Sequence, residues 1–302
     1  MASRSARLLL TVPALKKELF CTCMAAFMLL QSGCSSLFFF PDRVTYVTPD
    51  RLNLEYRDVY MDTTDGETLH GWWLPAKTSA KGTVYYLHGN AQNISSHILN
   101  VAWLPGEGYN VLTIDYRGYG ESTGDPDIEG GLVDVETGLR WLVQQPETRD
   151  LPLFLLGQSL GGALGLTLAS EWQQRGEQPP LSAVILDGTF SGFRGIAREK
   201  LADFWLTWPL QIPLSQTIPD DYEGMDLISG ISPVPVMIIH SVRDGIIPFH
   251  HGRDLYQAAG EPKRFLQTDT PHAATFVIPA YREAVLEFLE ASSASHTANA
   301  GQ

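Results

Sequence analysis

The stretch Leu151–Gly162, LPLFLLGQSLGG, restricts the folds open to this chain more than any other segment. Its apolar run reads as a buried strand, the G-x-S-x-G at its end as a turn, and Leu160 to Trp172 continues with helical spacing. A strand that turns this sharply into a helix brings the two backbones almost into contact. Gly157 and Gly161 lack the Cβ atoms that would collide there, and Gly162 gives further room. Such a bend holds the serine side chain above the sheet edge, which makes Ser159 the candidate nucleophile. The chain holds a second copy of the pattern, Gly120-Glu121-Ser122-Thr123-Gly124, in a different context. Arg117-Gly118-Tyr119 separates it from the strand-like run Tyr109–Tyr116, and Asp125-Pro126-Asp127 follows as a turn rather than a helix. Ser122 is therefore read as a loop residue.

Around the elbow, strands and helices alternate. Tyr56–Met61 and Thr68–Leu74 read as two strands about the turn Thr64-Asp65-Gly66-Glu67. Thr83–Leu87 follows, then a helical stretch near Ser95–Trp103, a strand over Asn110–Asp115 and an amphipathic helix over 129–144. Beyond the elbow come strands at Leu181–Leu186, Val234–Ile239 and Arg264–Gln267, with helices near 250–259 and 275–290. This pattern predicts an α/β fold with a mostly parallel central sheet covered by helices on both faces. With 302 residues and 44% hydrophobic content, and no linker in the middle of the chain, one large domain suffices. In such sheets functional groups gather beyond the carboxyl ends of the strands. The predicted strand ends place His88, Asp115, Ser159, Asp187, Asp244 and His272 along one edge.

A serine hydroxyl is a weak nucleophile at neutral pH and needs a base, commonly a histidine oriented by a carboxylate. His272 follows the last strand and is the preferred base. His240 ends an apolar strand, His250 and His251 begin a helix, and His88 follows the third strand, where a structural role accounts for each. Asp244 is the preferred acid, with Asp187 its competitor at the end of the preceding strand. The oxyanion needs two preorganised donors. The N–H of Leu160 directly follows the nucleophile, and that of Asn90 lies in the loop after Thr83–Leu87. No H-E-x-x-H, P-loop or dinucleotide fingerprint is present, so neither a metal nor a cofactor is assigned.

These motifs together resemble the α/β-hydrolase superfamily over residues 56–290. The similarity is to single-domain members with H-G-N, D-Y-R-G-Y-G-x-S, G-x-S-x-G-G and a late H-x-x-x-D. Here these are His88-Gly89-Asn90, Asp115 to Ser122, Gly157 to Gly162 and His240 to Asp244. The resemblance implies the triad order Ser159, Asp244, His272 and a lysophospholipase-, esterase- or serine-peptidase-like activity. It also implies a cap over the site, at the insertion 188–233. That insertion carries Phe190, Phe193, Phe204, Trp205 and Trp208, which fit an acyl-binding lid or a buried core helix. Two positions depart from the family pattern: Ser241 replaces a usual glycine, and Pro271-His272-Ala273 lacks the flanking glycine and Asn/Asp.

The first 34 residues form a separate unit. Arg4, Arg7, Lys16 and Lys17 precede an apolar run from Leu19 to Leu30, too short for a permanent span. Leu29 to Ser36 resembles a bacterial lipobox, with Gln31 where leucine is usual. That resemblance implies a signal peptide over 1–33, a lipid on Cys34, a tether over 34–55 and an outer-membrane site facing the periplasm, with Ser35 after the cysteine. All three cysteines, Cys21, Cys23 and Cys34, then fall at or before the cut, leaving no disulfide. Whether Leu37–Pro41 lies on a membrane or against the domain stays open. Removing residues 1–33 moves the formal charge from −13 to −16, a field that repels phosphate backbones and argues against nucleic acid. The expected partner is a small-molecule or lipid-like acyl substrate. Ala291–Gln302 reads as a disordered polar tail.

Overall fold

The computed structural model describes residues 38–203 and 206–300, and side chains up to residue 293. The expected leader 1–33, Cys34, Phe204, Trp205 and the last two residues lie outside the described residues. Strands β1 (Phe40–Pro41), β2 (Arg57–Asp62), β3 (Thr68–Leu74), β4 (Gly82–Leu87), β5 (Ala91–Gln92) and β6 (Tyr109–Ile114) occupy the first half. The second half contributes β7 (Leu153–Gln158), β8 (Ala183–Asp187), β9 (Val236–Ser241) and β10 (Lys263–Thr268). Eight of them form one sheet in the order β10-β9-β8-β7-β4-β6-β3-β2, and β1 and β5 form a separate short pair. From β6 to β10 every pairing is parallel, while β2, β3 and β6 pair antiparallel.

The period-two pattern of the central strands explains why both sheet faces are covered. Tyr85 and Leu87 of β4 face one core with Leu153 and Leu155 of β7, whereas Val84, Tyr86, Phe154 and Leu156 face the other. The first face is covered by helices α1 (Ile128–Val143), α2 (Leu160–Gln174) and α4 (Phe249–Ala258), through Val135, Leu164 and Leu255 among others. The second face is covered by the turns of 94–107 and by helix α5 (Pro279–Ala300), through Ile98, Leu104, Val285 and Leu289. Between β8 and β9 the insertion carries α3 (Phe193–Ala202) and short turns over Trp208–Ser215 and Gly224–Ile231. Asp127 begins α1, its carboxylate accepting the Gly130 N–H at 2.6 Å.

Two local expectations change. The stretch 95–103 is a single α-turn, Ile94–His97, followed by 3-10 turns at Ile98–Asn100 and Leu104–Glu107, with Pro105 and Gly106 stopping any longer helix. The polar tail is helical to Ala300, as a continuation of α5. Ser292 and Ser293 donate their hydroxyls to the carbonyls of Phe288 and Leu289, each at 2.8 Å, so these small polar residues are satisfied within the helix.

Candidate active site

The parallel register delivers the chemistry-bearing residues to one edge. Leu87 lies beside Gly157, Gln158 beside Asp187, and Ser241 beside Thr268, so the loops after these strands emerge together. The turn at Ser159 has φ 54° and ψ −118°, a backbone that a non-glycine residue adopts only under constraint, at a cost of about 1–3 kcal/mol. That constraint is visible. The Ser159 N–H donates to the Asp187 carbonyl at 2.9 Å, and the Thr189 hydroxyl donates to the Ser159 carbonyl at 2.7 Å. A Cβ on Gly157 would stand 2.4 Å from the Gly161 carbonyl oxygen, and one on Gly161 2.2 Å from that of Leu87. These two glycines are required by close approach rather than by their own φ.

His272 Nδ1 lies 2.6 Å from Asp244 Oδ2, and the other carboxylate oxygen accepts the N–H groups of Ile246 and Ile247, each at 2.8 Å. Burial pushes the Asp244 carboxyl upward. The hydrogen bond and charge of His272, with the two amides, outweigh it and hold the group below the ordinary carboxylate range. One of the family departures acquires a reason here. Ser241 Oγ donates to the Thr270 carbonyl at 2.5 Å and accepts the Arg243 N–H at 3.0 Å, tying the aspartate loop to the histidine loop. Ala273 takes the left-handed φ of 59° that a glycine would adopt without strain.

Asp187, the rival acid, is part of a buried network. Its oxygens accept from Gln158 Nε2 and Thr275 Oγ1, each at 2.8 Å, and Gln158 Oε1 accepts from Tyr86 and from Asn100 at 3.0 and 2.7 Å. Burial raises its carboxyl above the ordinary value, with the Gln158 and Thr275 hydrogen bonds opposing. It underpins the elbow and the histidine loop without reaching His272 by a hydrogen bond. His240 is fully buried, with Nε2 3.0 Å from the Ile247 carbonyl, and so holds the loop carrying Asp244.

The loop after β4 is held by His88, whose Nδ1 lies 2.7 Å from the Gly89 carbonyl. Burial, reinforced by repulsion from His97, depresses this imidazole, so it is neutral and donates from Nδ1. Because a trans peptide points its C=O and N–H in opposite directions, fixing the Gly89 oxygen also fixes the Asn90 N–H. The Leu160 N–H is the first of α2 and has no partner within that helix. Asp115 anchors the same loop through the Ile94 N–H at 2.8 Å, while Arg117 pairs with Asp134 and Asp65 rather than with Asp115.

Ser159, His272, Asn90 and Leu160 all line one cavity of about 600 Å³. Its other walls include Phe190, Ile196, Leu201, Leu214, Ile218 and Ile247, with Lys200 the one charged side chain, and no Asp or Glu lines it among the described residues. Phe38 and Phe40 also line it. Their contribution went unseen in the sequence, where Phe38-Phe39-Phe40 shows only hydrophobicity and nothing of its long-range partner. A larger cavity, about 730 Å³, is bounded by Gln145, Leu151, Pro179, Pro233 and Pro262 near the amino ends of the strands, away from these groups. Glu199, His250 and His251 form a group with metal-ligand chemistry. The Ser191 N–H donates to His251 Nδ1 at 3.1 Å, so the neutral ring carries its proton on Nε2, facing Glu199 at 3.2 Å. The group thus links α3 to α4 by hydrogen bonds.

Residues 78–220 match the family described as serine aminopeptidase, S33. The uncharacterized protein YfhR of Escherichia coli K12 is 35% identical over 263 residues, spanning 84% of this chain and 86% of its own length. The alpha/beta hydrolase domain-containing protein WAV2 of Arabidopsis thaliana is 29% identical, with 70% of each chain covered. Among solved structures, the Pyrococcus furiosus esterase Pf2001 superposes with a TM-score of 0.67 at 25% identity, covering 85% of this chain and 98% of the esterase. The chain therefore belongs to the α/β-hydrolase family. It is a hydrolase with an esterase-like fold.

Proposed function

We propose that this hydrolase cleaves an ester or thioester of an apolar acyl group, with Ser159 as nucleophile, His272 as base and Asp244 as its orienting acid. The observation that carries the reading is the convergence of a strained, glycine-flanked Ser159 with the 2.6 Å His272–Asp244 pair on the wall of one apolar cavity. With Nδ1 committed to Asp244, the Nε2 of His272 is left to take the Ser159 proton. Ser159 Oγ then attacks the acyl carbon, and negative charge on the carbonyl oxygen meets the N–H groups of Asn90 and Leu160. Losing one such donor typically costs about 2.7–4 kcal/mol of transition-state stabilisation. His272 returns the proton to the leaving alcohol or thiol, and then activates water to release the acid from the acyl-enzyme.

Aminopeptidase action, the description attached to the matching family, would need acidic groups to hold a substrate ammonium. The absence of Asp and Glu from the described cavity wall favours an acyl ester instead. The test is fluorophosphonate labelling of the full chain, with the adduct located by mass spectrometry. Labelling at Ser159 that Ser159→Ala abolishes and Ser122→Ala retains is the expected result; folded protein that takes no label would sink the serine-hydrolase reading in favour of a non-catalytic binding protein. We also propose that Cys34 carries a lipid that anchors the chain at the outer membrane facing the periplasm, on the strength of the 1–34 pattern. Cys34→Ser should abolish radiolabelled palmitate incorporation and release the protein from the membrane fraction; unchanged incorporation would overturn the anchor.

A further inference from the structure

The segment that enters the domain ahead of the first long strand is built into the site. Residues 38–42 run beside the loop that follows β4: β1 pairs in parallel with β5, setting Phe40 opposite Ala91 and Pro41 opposite Gln92. The Phe40 N–H donates to the Asn90 carbonyl at 2.9 Å, and the Tyr119 hydroxyl donates to the same oxygen at 2.6 Å. Farther along, Asn93 Nδ2 donates to the Asp42 and Val44 carbonyls at 3.2 and 2.8 Å, so the strap is fastened to that loop along its length.

Phe39 is buried against Tyr119, with ring centroids 6.4 Å apart, whereas Phe38 and Phe40 both line the cavity that contains Ser159. Phe38 lies edge-on to Phe193 at 5.3 Å and stacks with Phe190 at 6.3 Å, joining the strap to the base of the cap. Phe40 is 62% exposed. A phenyl ring left largely in water at the edge of an apolar cavity gains by covering itself with an apolar ligand. The same cavity is lined by Leu201, Leu214 and Ile218 of the cap insertion, with Lys200 beside them in sequence.

We propose that Phe38 and Phe40 are specificity-determining residues: with the cap leucines they form the two walls between which an extended aliphatic acyl chain lies, directing the enzyme to medium- and long-chain esters. The inference rests on the serine-hydrolase reading. Its test is chosen so that the two can fail separately. The full chain is treated with p-nitrophenyl alkylphosphonates bearing ethyl or decyl groups. The Ser159 oxygen forms a bond to phosphorus, p-nitrophenolate leaves, and His272 takes the serine proton. Adduct formation is followed by intact mass and p-nitrophenolate release, so no natural substrate is needed.

The wild-type rate should rise with chain length by up to about fourfold per buried methylene. Phe40→Ala and Phe38→Ala should each lower the decyl-to-ethyl rate ratio by about tenfold, and Phe38→Leu should restore much of it, since leucine keeps an apolar wall. Should Phe38→Ala fail to fold by circular dichroism, the exposed Phe40 carries the test alone. A ratio unchanged in the Phe40 variant, or ethyl and decyl rates falling in parallel, overturns the proposal while leaving the hydrolase intact. Folded wild-type protein that both probes leave unmodified overturns the hydrolase reading, and this proposal with it.

Discussion

The chain carries G-x-S-x-G twice, and both serines stand at the same sheet edge with a histidine and an aspartate nearby, yet the two regions are built for different ends. Ser159 sits in a strained turn on the wall of an apolar cavity, and the His272–Asp244 pair reaches that same cavity through His272. Ser122 is fully buried and its hydroxyl is spent twice, donating to the Asp115 carbonyl at 2.7 Å and accepting the His70 N–H at 2.9 Å. Nearby, His70 lies 2.8 Å from Asp58 and 3.6 Å from Asp115, while Asp115 holds the Ile94 amide after the β4 loop. One region brings Ser159 and His272 to a cavity wall; the other consumes its polar groups in holding a loop. Residue type and proximity do not separate the two regions. Access to a cavity does.

The largest contrast should come from the acid of the first region. Asp244→Asn removes the acceptor that keeps the His272 proton on Nδ1, and kcat in ester hydrolysis should fall by about 10⁴-fold with the fold retained. A loss under about tenfold would move the orienting role to another carboxylate, with Asp187 the first to examine. In the second region Ser122→Ala should act on stability. It leaves the buried His70 N–H unsatisfied, so urea denaturation should show a loss of about 1–3 kcal/mol while fluorophosphonate labelling of Ser159 persists. If labelling vanished in folded Ser122→Ala protein, the division between the two regions would be wrong.

The smallest effect concerns Asp187, beneath the first region. Its folded carboxyl is raised by burial, so ionisation works against the folded state. Its relative stabilisation is complete below the unfolded value near 4 and is lost as pH rises through the higher folded value. Asp187→Asn cannot ionise, and its stability relative to wild type should therefore improve as pH increases across that window. Thermal melts from pH 4 to 8 that run parallel for the two proteins would show that Asp187 is not perturbed as its surroundings require.

Much of the architecture was legible because it is local. The apolar run into Gly157-Gln158-Ser159-Leu160-Gly161 is realised as β7 followed directly by α2, and the alternation of strands and helices as a sheet parallel from β6 to β10. His272 and Asp244 could be nominated because each follows a strand. Their hydrogen bond joins residues 28 apart in sequence, and no local pattern encodes it. Helical continuation past 291 was hidden for the opposite reason, since small polar residues carry a weak signal until their hydroxyls find the preceding turn.

The sequence by itself determined the strand–turn–helix around Ser159, the layered α/β order and the set of polar residues available at one edge, because backbone sterics and side-chain periodicity act between near neighbours. Only the tertiary structure decided which aspartate meets His272, which serine lines the cavity, and that Phe38 and Phe40 join a cavity wall with residues more than 150 positions away. Those outcomes depend on segments far apart in the chain being brought within contact distance. That convergence is set by the packing of the whole sheet and its helices, and no short stretch of sequence contains it.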